Sequence, residues 1–118
     1  MDSHFMLSLV HLLFVVPLFL GIGYLRSSIP HWLFLVVLVL GIVILIYHSY
    51  KLFLRLKIKS NYIWVNAFHV LLVAPLLIYI GYNKKDTPRF AYELLLMMAF
   101  AAGGYHLFSL VRELQIAQ

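Results

Sequence analysis

The chain has 118 residues, 64% of them hydrophobic and 11% charged, with a net charge of +5. Soluble domains are nearer half apolar and a quarter charged, and a chain this short cannot hide so much apolar surface from water. The composition therefore excludes an ordinary soluble fold and selects the bilayer as solvent, and the absence of Cys excludes disulfides, thiolate metal sites, iron–sulfur clusters and thiol catalysis.

The first apolar run spans about 5–24 and the second about 31–54. A basic connecting loop covers 55–61. The third and fourth runs span about 62–82 and 88–111. Each is long enough to cross a hydrocarbon core of roughly 30 Å as a helix, and none alternates like a strand. The predicted fold is an all-α integral membrane protein with four transmembrane helices. The N-terminus lacks a basic n-region and a small-residue cleavage site, so the first run is expected to be a mature helix rather than a signal peptide.

Punctuation agrees with this division. Thr87 and Pro88 read as N-cap and first residue of the fourth helix, with Ile29 and Pro30 opening the second. Leu25 to Ile29 and Asn83 to Thr87 read as short turns of tight antiparallel hairpins. Tyr24, Trp32, Tyr62, Trp64, Tyr82 and Phe90 suit an interfacial aromatic belt. Pro17 and Pro75 sit inside the first and third helices and are expected to kink them.

The chain repeats itself at an offset of 58 residues. His11 meets His69, Pro17 meets Pro75, Gly23 meets Gly81, Pro30 meets Pro88, and Tyr47-His48 meets Tyr105-His106. Identity concentrates on His, Pro, Gly and Tyr rather than on Leu, unlike chance matching of apolar residues. Repeat one covers 4–56 and repeat two 62–114. Two spans per repeat give both copies the same direction across the membrane, a parallel repeat. Lys51, Arg55, Lys57 and Lys59 form the densest basic cluster, which predicts cytoplasmic termini. The basic residues flank apolar runs, so they are expected to meet lipid headgroups rather than nucleic acid.

Four imidazoles share one predicted layer. His11 and His69 lie about two turns inside the starts of their helices, and His48 and His106 about two turns inside the ends of theirs. All four sit roughly 9 Å from the same side, at 1.5 Å per residue. Ser8 and Asn66 precede His11 and His69 by three residues and can serve as second-shell partners that fix a tautomer. Gly41, Ala99, Ala102 and Gly103 leave room on the His faces for a helix or a flat cofactor. Lys51, Arg55 and Arg112 lie beyond the layer, toward anionic groups.

Three functions compete for this layer. The sharpest is cofactor binding: bis-His haem b, or a metal held by imidazoles, for electron transfer. The second is a proton- or ion-coupled small transporter or channel using the same His. The third is a structural or assembly role, with the His making interhelical hydrogen bonds. Glu93 is a candidate coupling carboxylate, weighed against snorkelling or pairing with Arg89. His4 and His31 have no repeat counterpart and read as incidental. No hydrolase, phosphate-loop or potassium-filter motif occurs, so a hydrolytic or transferase enzyme is not expected. The oligomeric state stays open at this point: two hairpins make a minimal bundle, and a homo-oligomer would enclose a larger interior.

In His placement alone the chain resembles b-type cytochromes, which implies axial imidazoles on facing helices. It is similar to small multidrug transporters in length and span count. It lacks the intramembrane Glu of their first helix and has His11 in that stretch.

Overall fold

In the computed structural model, residues 3–61 and 63–117 are described; Tyr62 and the side chain of His4 lie outside that set. The described residues form four long helices, each apolar enough to cross a membrane. We label them α1 (3–25), α2 (31–57), α3 (63–83) and α4 (89–117). The chain is an all-α integral membrane protein.

Helix α2 runs to Lys57, so Arg55 to Lys57 belong to the helix and not to the connecting loop expected from the sequence. The correction has a simple cause. Leu, Arg and Lys are good helix formers, and cations are favoured beside the last carbonyls. Helix α2 then ends in a Schellman-type turn. Ser60 N–H bonds Arg55 O at 3.0 Å, Lys59 N–H bonds Leu56 O, and Lys59 takes a positive φ of 53°. Helix α4 likewise continues past 111 to Ala117.

Two compact units organise these helices. One comprises 1–26 and 92–118, the other 27–91. The first therefore holds α1 with most of α4, and the second holds α2 with α3. Each is built around a row of apolar side chains. In the first unit Phe19, Ile22, Tyr92, Leu95 and Ala99 are buried. In the second, Leu77, Ile80, Phe34 and Val37 are buried, together with Gly41. These residues stand 58 positions apart, pair for pair. Most large apolar side chains elsewhere are exposed, as lipid contact requires: Phe14 is 68% and Leu71 75% accessible.

Small residues set the helix spacing inside each unit. A Cβ on Gly81 would lie 2.6 Å from both the backbone N and the Cβ of Leu38. A Cβ on Gly23 would lie 2.6 Å from Leu96 Cγ. Leu38 and Leu96 are themselves repeat equivalents. Close approach at glycine is the usual route to tight packing between membrane helices.

Pro17 and Pro75 each sit just after a π-helical turn, at His11–Val15 and His69–Val73. Val16 N–H bonds His11 O, and Ala74 N–H bonds His69 O, five residues back. A proline has no N–H to donate and crowds the carbonyl four residues earlier, so a widened turn relieves both problems. The widening also changes which residues share a face. His69 and Gly81 are twelve residues apart, which a regular helix would set about 120° apart. One extra residue in the turn brings them within roughly 20°. His11 and Gly23 have the same spacing and the same π turn.

The short turns also recur. Arg26–Ser28 and Lys84–Asp86 are 3-10 turns, and they open on non-Gly residues at φ 55° and 53°. Such backbone costs on the order of 1–3 kcal/mol per residue and persists only when the surroundings enforce it. Thr87 does not cap α4 as the sequence suggests. Its one hydroxyl proton is directed at Lys84 O (2.7 Å), with Ile80 O (3.2 Å) as the second acceptor, closing the end of α3. The entry to α4 is made by Pro88, whose carbonyl accepts from Ala91 N–H, as Pro30 accepts from Leu33 N–H.

Candidate functional site

The four imidazoles expected to share a layer are met as two stacked pairs, one inside each unit. In the first unit His11 of α1 stacks on His106 of α4, with ring centroids 4.2 Å apart and planes at 22°. In the second, His69 of α3 stacks on His48 of α2 at 4.2 Å and 14°. The pairing follows the repeat: His11 corresponds to His69 and His106 to His48. In each pair the imidazole on the α1 or α3 side is the first residue of the π turn.

Hydrogen bonds assign the protons. His11 Nδ1–H donates to Leu7 O at 2.8 Å, and His69 Nδ1–H donates to Val65 O at 2.7 Å. A carbonyl can only accept, so Nδ1 carries the proton in both and the ring lone pair lies on Nε2. The partner rings are held from the facing helix. Asn66 Nδ2 donates to His48 Nδ1 at 2.9 Å, and Arg55 Nη1 donates to Asn66 Oδ1 at 2.6 Å. The corresponding contact in the first unit is longer, with Ser8 Oγ 3.5 Å from His106 Nδ1. Asn66 and Ser8 are both buried. They precede one His of a pair in sequence and touch the other in space.

The aromatic neighbours are equivalent too. Tyr47 meets His48 edge-on at 5.1 Å, and Tyr105 meets His106 edge-on at 5.2 Å. The small residues of the His faces are used for helix packing. A Cβ on Gly41 would lie 3.0 Å from Leu77 Cβ, Ala99 is fully buried, and Gly103 faces Val16.

The expected cofactors can be tested against this geometry. Trans imidazoles on one haem iron point their nitrogens at each other across the metal, each bond being about 2.0–2.1 Å for typical metal–imidazole contacts. Stacked rings at 4.2 Å carry their nitrogens side by side instead. The two rings of a pair, as arranged within a unit, do not fit the two axial positions of a single haem. Among the described residues no three His, Cys, Asp or Glu side chains gather as a metal site.

The remaining candidates lie away from the pairs. Glu93 and Arg89 are exposed on α4, as is His31 at the start of α2. Sequence reading did not single out Arg55 as a partner of Asn66, nor the backbone carbonyls of Leu7 and Val65. The i−4 carbonyl was open to inference from helix geometry. The Arg55 contact needs the packing of α2 on α3. Comparison of the chain with protein-family models, with curated proteins and with solved structures finds no match.

Proposed function

We propose that this small multi-pass membrane protein handles protons through two repeat-related His pairs, as a proton-coupled transporter or channel with both termini in the cytoplasm. The observation that carries the reading is the pair of cofacial stacks, 4.2 Å each, at equivalent positions in apolar helices. Intramembrane ionisable groups commonly mark ion and proton paths, and imidazole exchanges protons near neutrality. Uncharged rings stack without penalty. Two imidazolium rings at this spacing would repel by about 4 kcal/mol at an effective dielectric of 20. A pair keeps its stack with one added proton and opens with two, so proton occupancy is coupled to the spacing of the two helices. The groups around the pairs are Arg55, Asn66 and Tyr47 in one unit and Ser8 and Tyr105 in the other.

The test is proton flux into liposomes holding the purified chain under an imposed pH gradient. Flux is expected to fall roughly a hundredfold when His11 and His69 are both replaced by Phe, the lower range of what positioned proton-transfer groups contribute. Unchanged flux in that variant, or no flux above empty vesicles in the wild type, would sink the reading. Reporter fusions at both ends test the orientation.

A second reading is favoured by one observation. Nδ1 of His11 and of His69 donates to a backbone carbonyl, an arrangement that orients Nε2 for coordination. Haem b or a redox-active metal ion held by one such Nε2, and not by both rings of a pair, would supply one-electron chemistry. An absorption spectrum of the purified chain, oxidised and reduced, with metal analysis, decides between a chromophore and none.

A further inference from the structure

The two pairs differ in the polar group that faces Nδ1 of His48 or of His106. In the second unit that group is the amide of Asn66, and a third residue fixes its orientation. Arg55 has donors only, so the Asn66 atom facing it at 2.6 Å must be the acceptor Oδ1. The other end of the amide, Nδ2, has donors only and faces His48 Nδ1 at 2.9 Å. Nδ1 of His48 must then accept, and the proton of the ring sits on Nε2. Rotating the amide would set N–H against the guanidinium and is opposed by the loss of a charge-assisted hydrogen bond. Asn66 is 2% accessible, so water does not readily replace these partners.

We propose that Asn66, oriented by Arg55, is a positioning residue that fixes His48 as the Nε2–H tautomer and so gives the His48/His69 stack a single polarity. His48 presents Nε2–H, while His69, with its Nδ1–H on Val65 O, presents an Nε2 lone pair. One ring of the stack is a donor at Nε2 and the other an acceptor there. The first unit carries different residues at the same positions. Asn66 is replaced there by Ser8, whose hydroxyl rotates to donate or accept, and Arg55 by Glu113. The duplicated pairs are thus specialised, one with a set direction and one whose direction Ser8 does not impose.

This inference concerns the same imidazoles as the proton reading but has a separate readout. The experiment is 15N NMR of His-labelled full-length protein in lipid bilayers near neutral pH, where protonated and unprotonated ring nitrogens resolve. His48 is assigned by the loss of its signals in His48→Phe. The wild type is expected to show His48 with Nε2 protonated and Nδ1 bare, the two tautomers differing in population by about tenfold or more. Arg55→Leu, which leaves the amide able to turn, is expected to bring the tautomers within about threefold of each other. Arg55→Lys keeps a donor at the same place and is expected to restore most of the preference. Asn66→Asp puts an acceptor opposite Nδ1 and is expected to move the proton there. Ser8→Ala should leave the His48 signals unchanged. A wild-type His48 with Nδ1 protonated, or a mixture unaffected by Arg55→Leu, would overturn the proposal. A fixed tautomer in a protein that shows no proton flux would overturn the proton reading and leave this one standing.

Discussion

The two units are alike in backbone and core and unlike in polar chemistry. Ile22 and Ile80, Phe34 and Tyr92, and Val37 and Leu95 hold equivalent buried places. Both units have a π turn before a proline, a His donating to the carbonyl four residues back, and a stacked partner at 4.2 Å. They part company at Asn66 and Ser8, and at Arg55 and Glu113. A duplicated helix keeps what packing dictates, because changing it costs contact with the neighbouring helix. The hydrogen-bond partners of the imidazoles can change once the rings are held by backbone and stack.

The comparison is broken most readily at the glycines. At Gly81 an added Cβ meets the backbone N, Cα and Cβ of Leu38, none of which can yield without moving α2. At Gly23 it meets mainly Leu96 Cγ and Cδ2, the far end of a flexible side chain, although Tyr92 O lies at 3.2 Å. Gly81→Ala is expected to cost about 2–3 kcal/mol and Gly23→Ala about 1 kcal/mol, in the range for overpacking. Reversible unfolding in mixed detergent, followed by circular dichroism, measures both. Equal losses would mean that the two units tolerate intrusion alike, against the difference in what each glycine touches.

A smaller effect is expected at the polar partners. Asn66→Leu removes hydrogen bonds to His48 and Arg55 and is expected to cost about 1–3 kcal/mol. Ser8→Ala removes a contact of 3.5 Å, at the limit of hydrogen-bonding distance, and is expected to cost less than about 0.5 kcal/mol. The same unfolding assay serves. A large loss at Ser8 would show that the first pair depends on its hydroxyl as strongly as the second on its amide.

The sequence made the spans legible because continuous apolar runs bounded by Pro and basic residues have few other solutions. It also made legible that His11 can meet His106, and His69 can meet His48, since helical rise places the members of each pair at similar depth within their unit. It could not say which imidazole meets which, because that depends on helix packing. Which imidazole Ser8 and Asn66 meet depends on packing for the same reason. Three-residue spacing puts Ser8 and Asn66 close to the His of their own helix. The facing helix took them, and the local His turned to the carbonyl four residues back. The helical ends were underestimated at 54 and 111, since helix-forming residues with charged side chains extend a helix beyond the apolar run that signals it.

The prolines give the finest test, because they concern register rather than strength. In α3 the π turn lies between the face that stacks His69 on His48 and the face that seats Gly81 against Leu38. Without it the two faces would differ by about 120°, and α3 could not offer both to α2 at once. Pro75 favours the wide turn by withholding a donor and crowding a carbonyl. Pro75→Ala restores an N–H and allows a regular turn, but only at the expense of one of the two contacts. The packed glycine and the stacked imidazole should therefore hold the π turn in place, with a stability change below about 1 kcal/mol. Combining Pro75→Ala with His69→Leu removes one of the two constraints, and the turn is then expected to close to α geometry. Amide hydrogen exchange across 69–75 reads this, with slower exchange in the double variant than in either single one. If Pro75→Ala alone regularises the turn, the proline is the cause of the register. If the double variant keeps the π turn, packing elsewhere along α3 sets it, and His69 is its beneficiary.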